Sequence, residues 1–192
     1  MSGWTARRGS DIVHTFVNAG TRSVSPERTA LIILGIDPGT AATGYGAITS
    51  TAGGKLQLLA YGVISTVPGK ADHVRLSQLH DELSALLARF GPAEVAIEQL
   101  FFTNNAKTAI AVGQARGVAL LAAAKAGCHI GEYTPLQVKQ AVVGYGAAQK
   151  AQVQYMVKAI LALAETPKPD DAADALAIAI CHAHSRKMAA VR

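Results

Sequence analysis

The sequence predicts an α/β fold, with a five-stranded mixed sheet flanked by helices on both faces. Half of the 192 residues are hydrophobic and only 5% are aromatic, a composition that suits aliphatic helices packed on a sheet. Runs of β-branched and aliphatic residues alternate with segments whose apolar residues recur at helical spacing. Their order, β-β-β-α-β-α-β-α-α-α, implies a three-strand meander followed by alternating helices and strands.

The first three strands are predicted to be antiparallel neighbours. The aliphatic run "LIILGI" indicates the first strand, and the turn sequence "TAGGK" separates the second from the third. The predicted strands are residues 31–36, 43–49 and Leu56–Ser65, with later ones at Glu94–Glu98 and 128–132.

The helices are predicted from apolar spacing and from their end signals. "GP" ends the first helix, Asn104 or Asn105 caps the second, Gly127 ends the second, and Thr134 followed by Pro135 begins the third. The predicted helices are residues 73–90, 105–125, 134–143, 150–164 and 170–184.

The first 30 residues differ from the rest of the chain. They are rich in Ser, Thr, Arg and Gly and show no sustained period, which predicts a disordered extension at 1–30, one folded domain at 31–187 and a tail at 188–192. A basic arm that contacts DNA is the alternative for the extension. The net charge of +5 is compatible with a polyanionic partner without establishing one.

The two cysteines, Cys128 and Cys181, are far apart and lie in apolar segments. No metal-binding cysteine spacing is present, so both are predicted to be buried, reduced thiols of a cytoplasmic protein. No apolar run approaches the roughly 20 residues of a membrane span, and no signal peptide is evident.

Four carboxylates stand in apolar surroundings: Asp37, Glu98, Asp171 and Asp174. Each has a structural explanation, since Asp37 could begin a turn, Glu98 could end a strand at the surface, and Asp171 could complement a helix dipole. Asp174 is harder to explain, because it lies one turn inside an apolar helix.

The four carboxylates are better explained together. Two like charges about 4 Å apart repel by about 4 kcal/mol at an effective dielectric near 20, so a cluster of four requires protons or cations. All-oxygen ligands without His or Cys favour Mg²⁺ or Mn²⁺. Two such ions suit in-line displacement at phosphorus, which predicts a phosphodiester hydrolase.

Five segments together resemble the RuvC family, the bacterial Holliday-junction resolvases. They are "GIDPGTAATGYG", "AIEQLFF", "GQARG", "QVKQAVVGYGAAQK" and "DAADALAIAICH", and they extend from Gly35 to His182. The resemblance implies an RNase H-like fold and a homodimer that nicks two opposed strands of a four-way DNA junction. It further implies two Mg²⁺ ions per site, for which Mn²⁺ substitutes, association with the nucleoid, and the RuvA–RuvB branch-migration complex as a partner.

The resemblance also assigns site residues. The family's acidic tetrad falls on Asp37, Glu98, Asp171 and Asp174, and Asp170 takes no tetrad role. Its base-stacking phenylalanine falls on Phe101, and its two basic residues near the scissile phosphate fall on Lys139 and Lys150.

The residues themselves leave alternatives open for these roles. Phe101 could belong to the core rather than stack on a base, and lysines are mostly solvated. Lys107 and Arg116 are further candidates for DNA contacts.

Two glycines and two histidines are further candidates for a role in packing or in the site. Gly113 and Gly117 allow close helix packing, either on the sheet or in a dimer. His182 and His184 are predicted to lie at a solvated helix end, and a role beside the metal site is the alternative.

Three other functions compete with a junction resolvase. An actin-like nucleotide-binding domain also opens with a phosphate-holding Asp-x-Gly-x-Thr turn, which "DPGT" resembles, but one 192-residue domain is short for its two lobes. A catalytically inactive junction binder would not need four acidic residues. An RNase H-like nuclease acting on RNA–DNA hybrids would have the same metal chemistry.

Overall fold

The computed structural model describes residues 30–99 and 106–190. The order of the elements agrees with the prediction. The strands are β1 (Leu31–Asp37), β2 (Ala42–Ser50), β3 (Leu56–Ser65), β4 (Glu94–Glu98) and β5 (His129–Tyr133). The helices are α1 (Asp72–Phe90), α2 (Ala106–Lys125), α3 (Pro135–Val143), α4 (Lys150–Ile160) and α5 (Asp170–Ala190).

The five strands form one mixed sheet in the order β3-β2-β1-β4-β5. β1, β2 and β3 are antiparallel neighbours, whereas β1, β4 and β5 run parallel. Ile36 of β1 is in register with Ile97 of β4, so the next residues, Asp37 and Glu98, lie at the same edge of the sheet.

The sheet carries a hydrophobic core on each face, as predicted. Strand residues point alternately to the two faces, and in β1 Leu34 and Ile36 pack with α1 and α2 while Ile33 packs with α3, α4 and α5. All three side chains are fully buried. The fold is thus a three-layer sandwich whose central sheet is buried on both sides.

Glycines allow α5 to lie unusually close to the sheet. A Cβ atom on Gly35 would come within 2.1 Å of the Ala175 carbonyl oxygen, and one on Gly44 within 2.0 Å of the Asp171 carbonyl oxygen. No real Cβ could occupy either position, so glycine is required on β1 and β2 beneath the helix. This close approach sets Asp171 and Asp174 over the sheet edge that carries Asp37.

Two helix ends differ from the sequence prediction. α4 ends at Ile160 rather than at residue 164, because Ala162 adopts a left-handed conformation (φ 51°) and the Leu163 amide donates back to the Lys158 carbonyl at 2.9 Å. α5 continues to Ala190, six residues beyond its predicted end.

The two cysteines are both free, but their environments differ. Cys181 is buried, as predicted, whereas Cys128 is only half-buried. The prediction for Cys128 is therefore wrong in part, because the residue lies in the turn before β5 and its thiol reaches the Pro92 carbonyl at 3.2 Å. No helix within the described ranges is long and apolar enough to cross a bilayer.

Candidate active site

Asp37 lies at the end of β1, where a short polar turn fixes the chain. The Thr43 hydroxyl donates to the Gly39 carbonyl at 2.6 Å and accepts from the Gly39 amide at 3.2 Å. Thr40 then ties the turn to α2 by donating to the Ala111 carbonyl at 2.7 Å. These hydrogen bonds hold the turn that follows Asp37 and so fix the backbone that carries its carboxylate.

Burial and the nearby carboxylates of Glu98, Asp174 and Asp171 together raise the pKa of Asp37 to about 7, against a smaller opposing effect of Lys150. The pKa of Glu98 rises to about 6, again first through burial and then through Asp174. These effects reflect the proximity of acidic side chains carried by β1, β4 and α5. The group of Asp37, Glu98, Asp171 and Asp174 is called the acidic pocket below.

Asp174 faces the same pocket from the first turns of α5. Burial raises its pKa, while the hydrogen bond and charge of Lys150 lower it. The Lys150 ammonium lies 3.0 Å from Oδ2 of Asp174 and 3.3 Å from Oδ2 of Asp170. Gln154, one turn further along α4, donates to Oδ1 of Asp170 at 2.9 Å.

This contact of α4 with α5 was not predicted from the sequence. The sequence feature that could have indicated it is the spacing of Lys150 and Gln154, because residues four apart lie on one face of a helix and can contact the same partner. Asp170, without a tetrad role in the family resemblance, receives both side chains and so holds Lys150 beside the acidic pocket.

Arg116 supports Glu98 from the opposite face of the sheet. Its Nε donates to the Glu98 carbonyl oxygen at 3.3 Å, and its terminal nitrogen forms an ion pair with Glu132 of β5. The Gln99 amide also donates to the Tyr133 carbonyl at 2.8 Å. The backbone at Glu98 is therefore held by both α2 and β5.

The remaining predicted site residues are less defined. Lys139 is half-buried on α3. Lys107 lies in α2, but its side chain is outside the described part of the structure, and Phe101 falls entirely outside the described residues. Their predicted DNA contacts, like that of Arg116, remain predictions.

The prediction for His182 is wrong. The residue is 4% exposed, and its Nε2 lies 2.7 Å from Oε2 of Glu94. It is buried because α5 continues past it and covers the start of β4. His184 is half-buried and its Nδ1 lies 3.0 Å from the Ala141 carbonyl oxygen.

The carboxylates of the acidic pocket are candidate ligands for metal ions. As the side chains stand, no three His, Cys, Asp or Glu residues within 30–99 and 106–190 are close enough to hold one. The donor set nevertheless suits hard divalent cations, because it is made of carboxylate oxygens. A cation would also relieve the repulsion that raises the pKa of Asp37.

A mixed sheet of order 3-2-1-4-5 with acidic residues at the ends of β1 and β4 and on the helix that crosses them defines the ribonuclease H-like class of nucleases. Within that class, the model of the family "Crossover junction endodeoxyribonuclease RuvC" matches residues 33–182. The chain therefore belongs to the RuvC family.

Similar proteins agree with this assignment. A crossover junction endodeoxyribonuclease RuvC of Ruminiclostridium cellulolyticum is 58% identical over 161 residues, which cover 84% of this chain and 96% of the relative. Thermus thermophilus RuvC superposes with a TM-score of 0.77 at 40% identity, covering 83% of this chain and 97% of that one. The same protein in complex with a Holliday junction substrate gives 0.75 at 38% identity, covering 82% and 96%.

Proposed function

We propose that this protein is an endonuclease that resolves Holliday junctions by hydrolysing phosphodiester bonds in two opposed strands, in recombination and DNA repair. The main support is the convergence of three elements at one sheet edge: Ile36 and Ile97 are in register just before Asp37 and Glu98, and α5, which carries Asp174, lies against Gly35 and Gly44. The charges of Glu98 and Asp174 accordingly add to the effect of burial in raising the pKa of Asp37. Membership of the RuvC family and the similarity to a RuvC solved with a Holliday junction substrate support the choice of substrate.

Asp37, Glu98, Asp171 and Asp174 are the proposed ligands of two divalent cations, Mg²⁺ or Mn²⁺. When bound, these ions would activate the attacking water and stabilise the leaving 3′ oxygen. The protein's own contribution is to hold four carboxylates in a partly desolvated pocket, where their charges act strongly. The products would carry 5′-phosphate and 3′-hydroxyl ends.

Basic residues around the pocket would bind the DNA backbone. Lys150 is already at the pocket, and an ammonium 3.0 Å from Asp174 can turn to a phosphate that enters beside the carboxylates. Lys139 and Lys107 are proposed to extend this basic surface.

Arg116 would contribute through its remaining N–H groups, since its Nε and one terminal nitrogen are held by Glu98 and Glu132. Phe101, three residues after Glu98, is proposed to stack against an unpaired base at the junction.

The active unit would be a homodimer. α2 exposes two large apolar side chains, Ile110 (63% exposed) and Leu121 (53%), and at Gly117 between them the backbone has open space around it. An apolar helix face with a small residue allows close packing against a second copy. A two-fold dimer would present two acidic pockets to the two-fold junction.

Where the enzyme acts follows from the substrate. We place it in the cytoplasm at the nucleoid, with the RuvA–RuvB complex supplying branch-migrated junctions.

One assay tests the proposal. Purified protein is incubated with a mobile four-way junction, a linear duplex of the same sequence and an RNA–DNA hybrid, each with Mg²⁺ and with EDTA. Symmetric nicks in the junction alone, only with Mg²⁺, are expected. Preferential cleavage of the RNA–DNA hybrid would show that the hybrid, and not the junction, is the substrate. Junction binding without cleavage would indicate a catalytically inactive binder.

A further inference from the structure

A second polar cluster lies under α5, away from the acidic pocket. His182 of α5 contacts Oε2 of Glu94 through Nε2 at 2.7 Å and the Tyr133 hydroxyl through Nδ1 at 2.9 Å. The other Glu94 oxygen accepts from Nε of Arg186 at 2.7 Å. The cluster joins the start of β4, the end of β5 and the last turns of α5.

All polar atoms in this cluster can be satisfied at once. With the proton on Nε2, a neutral His182 donates to Glu94 and accepts from the Tyr133 hydroxyl. The side chains of His182 and Glu94 are 5% and 11% exposed, so loss of either partner would leave a buried polar group unpaired. Such a network specifies one arrangement of the elements that it joins.

The His182 ring packs directly against a glycine of β5. A Cβ atom on Gly131 would lie 2.4 Å from Nδ1 of His182, so any larger residue on β5 would displace the ring. Elsewhere α5 packs on the sheet through apolar contacts, among them Ala175 and Ala179 over Gly35 and Leu176 over Gly46. These apolar contacts are non-directional, whereas the hydrogen bonds of His182 have fixed partners and so add a second constraint on the position of the helix.

The separation between the cluster and the acidic pocket is nearly the same along β4 as along α5. Glu94 and Glu98 are four residues apart on β4, which is about 13 Å along a strand. His182 and Asp174 are eight residues apart on α5, which is about 12 Å along a helix. The His182–Glu94 contact therefore lies about as far from Asp174 along α5 as from Glu98 along β4, and the charge of Asp174 acts on Glu98 at the other end.

From this geometry we infer that His182 and Glu94 are positioning residues that set the axial register of α5 on β4 and thereby hold Asp174 opposite Glu98. The inference rests on the proposed role of those two carboxylates as metal ligands. A shift of α5 by one residue would move Asp174 by about 1.5 Å along the axis and rotate it by about 100°. Displacements of about 1 Å in a catalytic site can lower rates about a hundredfold.

The test compares His182→Leu, which keeps the volume of the side chain but forms no hydrogen bond, with His182→Gln, whose amide can still donate to Glu94. Leu83→Ala is the matched control, because Leu83 is fully buried in the core on the other face of the sheet. Each variant is measured for melting temperature, for Mn²⁺ affinity by calorimetry, and for single-turnover junction cleavage as a function of Mg²⁺ concentration.

We expect His182→Leu to weaken Mn²⁺ binding about 10-fold and to slow cleavage about 10- to 100-fold, the range seen when groups that orient metal ligands are removed. His182→Gln should recover most of both losses. Leu83→Ala should lower the melting temperature while leaving the Mn²⁺ affinity within about twofold of wild type, since a core cavity acts on stability.

Wild-type Mn²⁺ affinity in His182→Leu would overturn the inference, as would losses in His182→Gln equal to those in His182→Leu. If His182→Leu does not fold, Glu94→Leu, which accepts no hydrogen bond from His182, takes its place, and unchanged metal affinity there would have the same consequence. If the wild type does not cleave the junction, the proposed function is refuted. The calorimetric comparison does not depend on cleavage, so it would still decide whether His182 positions the metal ligands.

Discussion

The Lys150 ammonium lies 3.0 Å from Oδ2 of Asp174, so the first residue of α4 forms an ion pair with a carboxylate of the acidic pocket on α5. Asp170 accepts from the same ammonium at 3.3 Å. One side chain thus neutralises part of the pocket's charge, and it is also the one that we propose to contact a DNA phosphate.

Lys150→Ala should weaken junction binding and make its salt dependence shallower. A lost phosphate contact reduces the slope of log affinity against log salt by about 1. Fluorescence anisotropy with a labelled junction at several salt concentrations measures this slope. Lys158→Ala, near the other end of α4, is the matched control, and an unchanged slope in Lys150→Ala would exclude the phosphate contact.

Asp37→Asn should retain junction binding and lose cleavage. The amide has nearly the shape of the carboxylate but contributes no negative charge to a metal site, and we expect the cleavage rate to fall at least about a hundredfold. Single-turnover cleavage and anisotropy on the same junction separate the two effects. Substantial cleavage by Asp37→Asn would remove Asp37 from the mechanism.

The stability of the metal-free protein should fall as the pH rises from about 4 to about 7. Burial raises the pKa of Asp37 from 3.8 to about 7, so the folded state binds more protons than the unfolded state in this window. Ionisation of Asp37 should therefore cost on the order of 2 kcal/mol of unfolding free energy by pH 8, after allowance for solvent screening.

Urea unfolding in EDTA across this pH range measures the loss. Asp37→Asn removes the titrating group, so its free energy of unfolding should decline less over the same window and exceed that of wild type at pH 8. Addition of Mg²⁺ at pH 8 should stabilise wild type more than Asp37→Asn, because a cation that binds only the folded state shifts the equilibrium towards it. Parallel pH curves for the two proteins would contradict the assignment.

Phe101→Ala should reduce cleavage more than binding, because a base held by stacking positions the scissile strand without supplying most of the affinity. Removal of a base–aromatic stack costs about 1–3 kcal/mol, and we expect this loss to appear mainly in the cleavage rate. Phe102→Ala is the neighbouring control. Equal losses of binding and cleavage in Phe101→Ala would indicate a packing role.

Sequence periodicity was sufficient to predict the elements and their order. The aliphatic run ending at Asp37 and the "EVAIE" strand ending at Glu98 predicted where two carboxylates would lie, because strand alternation and strand ends are local properties. The predicted end of α4 was wrong, because the left-handed residue that follows the helix is Ala162 and not a glycine, so the sequence gives no stop signal there.

The chain by itself therefore determined the α/β architecture and the family, and it predicted which acidic residues form the site. Only the tertiary structure decided the partners of those residues: Lys150 on Asp174, Arg116 on the Glu98 carbonyl, and the buried pair of His182 and Glu94. His182 and Glu94 are 88 residues apart, and no local period relates them. Such pairs form only once glycines on the sheet have let α5 approach, because hydrogen bonds and desolvation depend on distances that the whole fold sets.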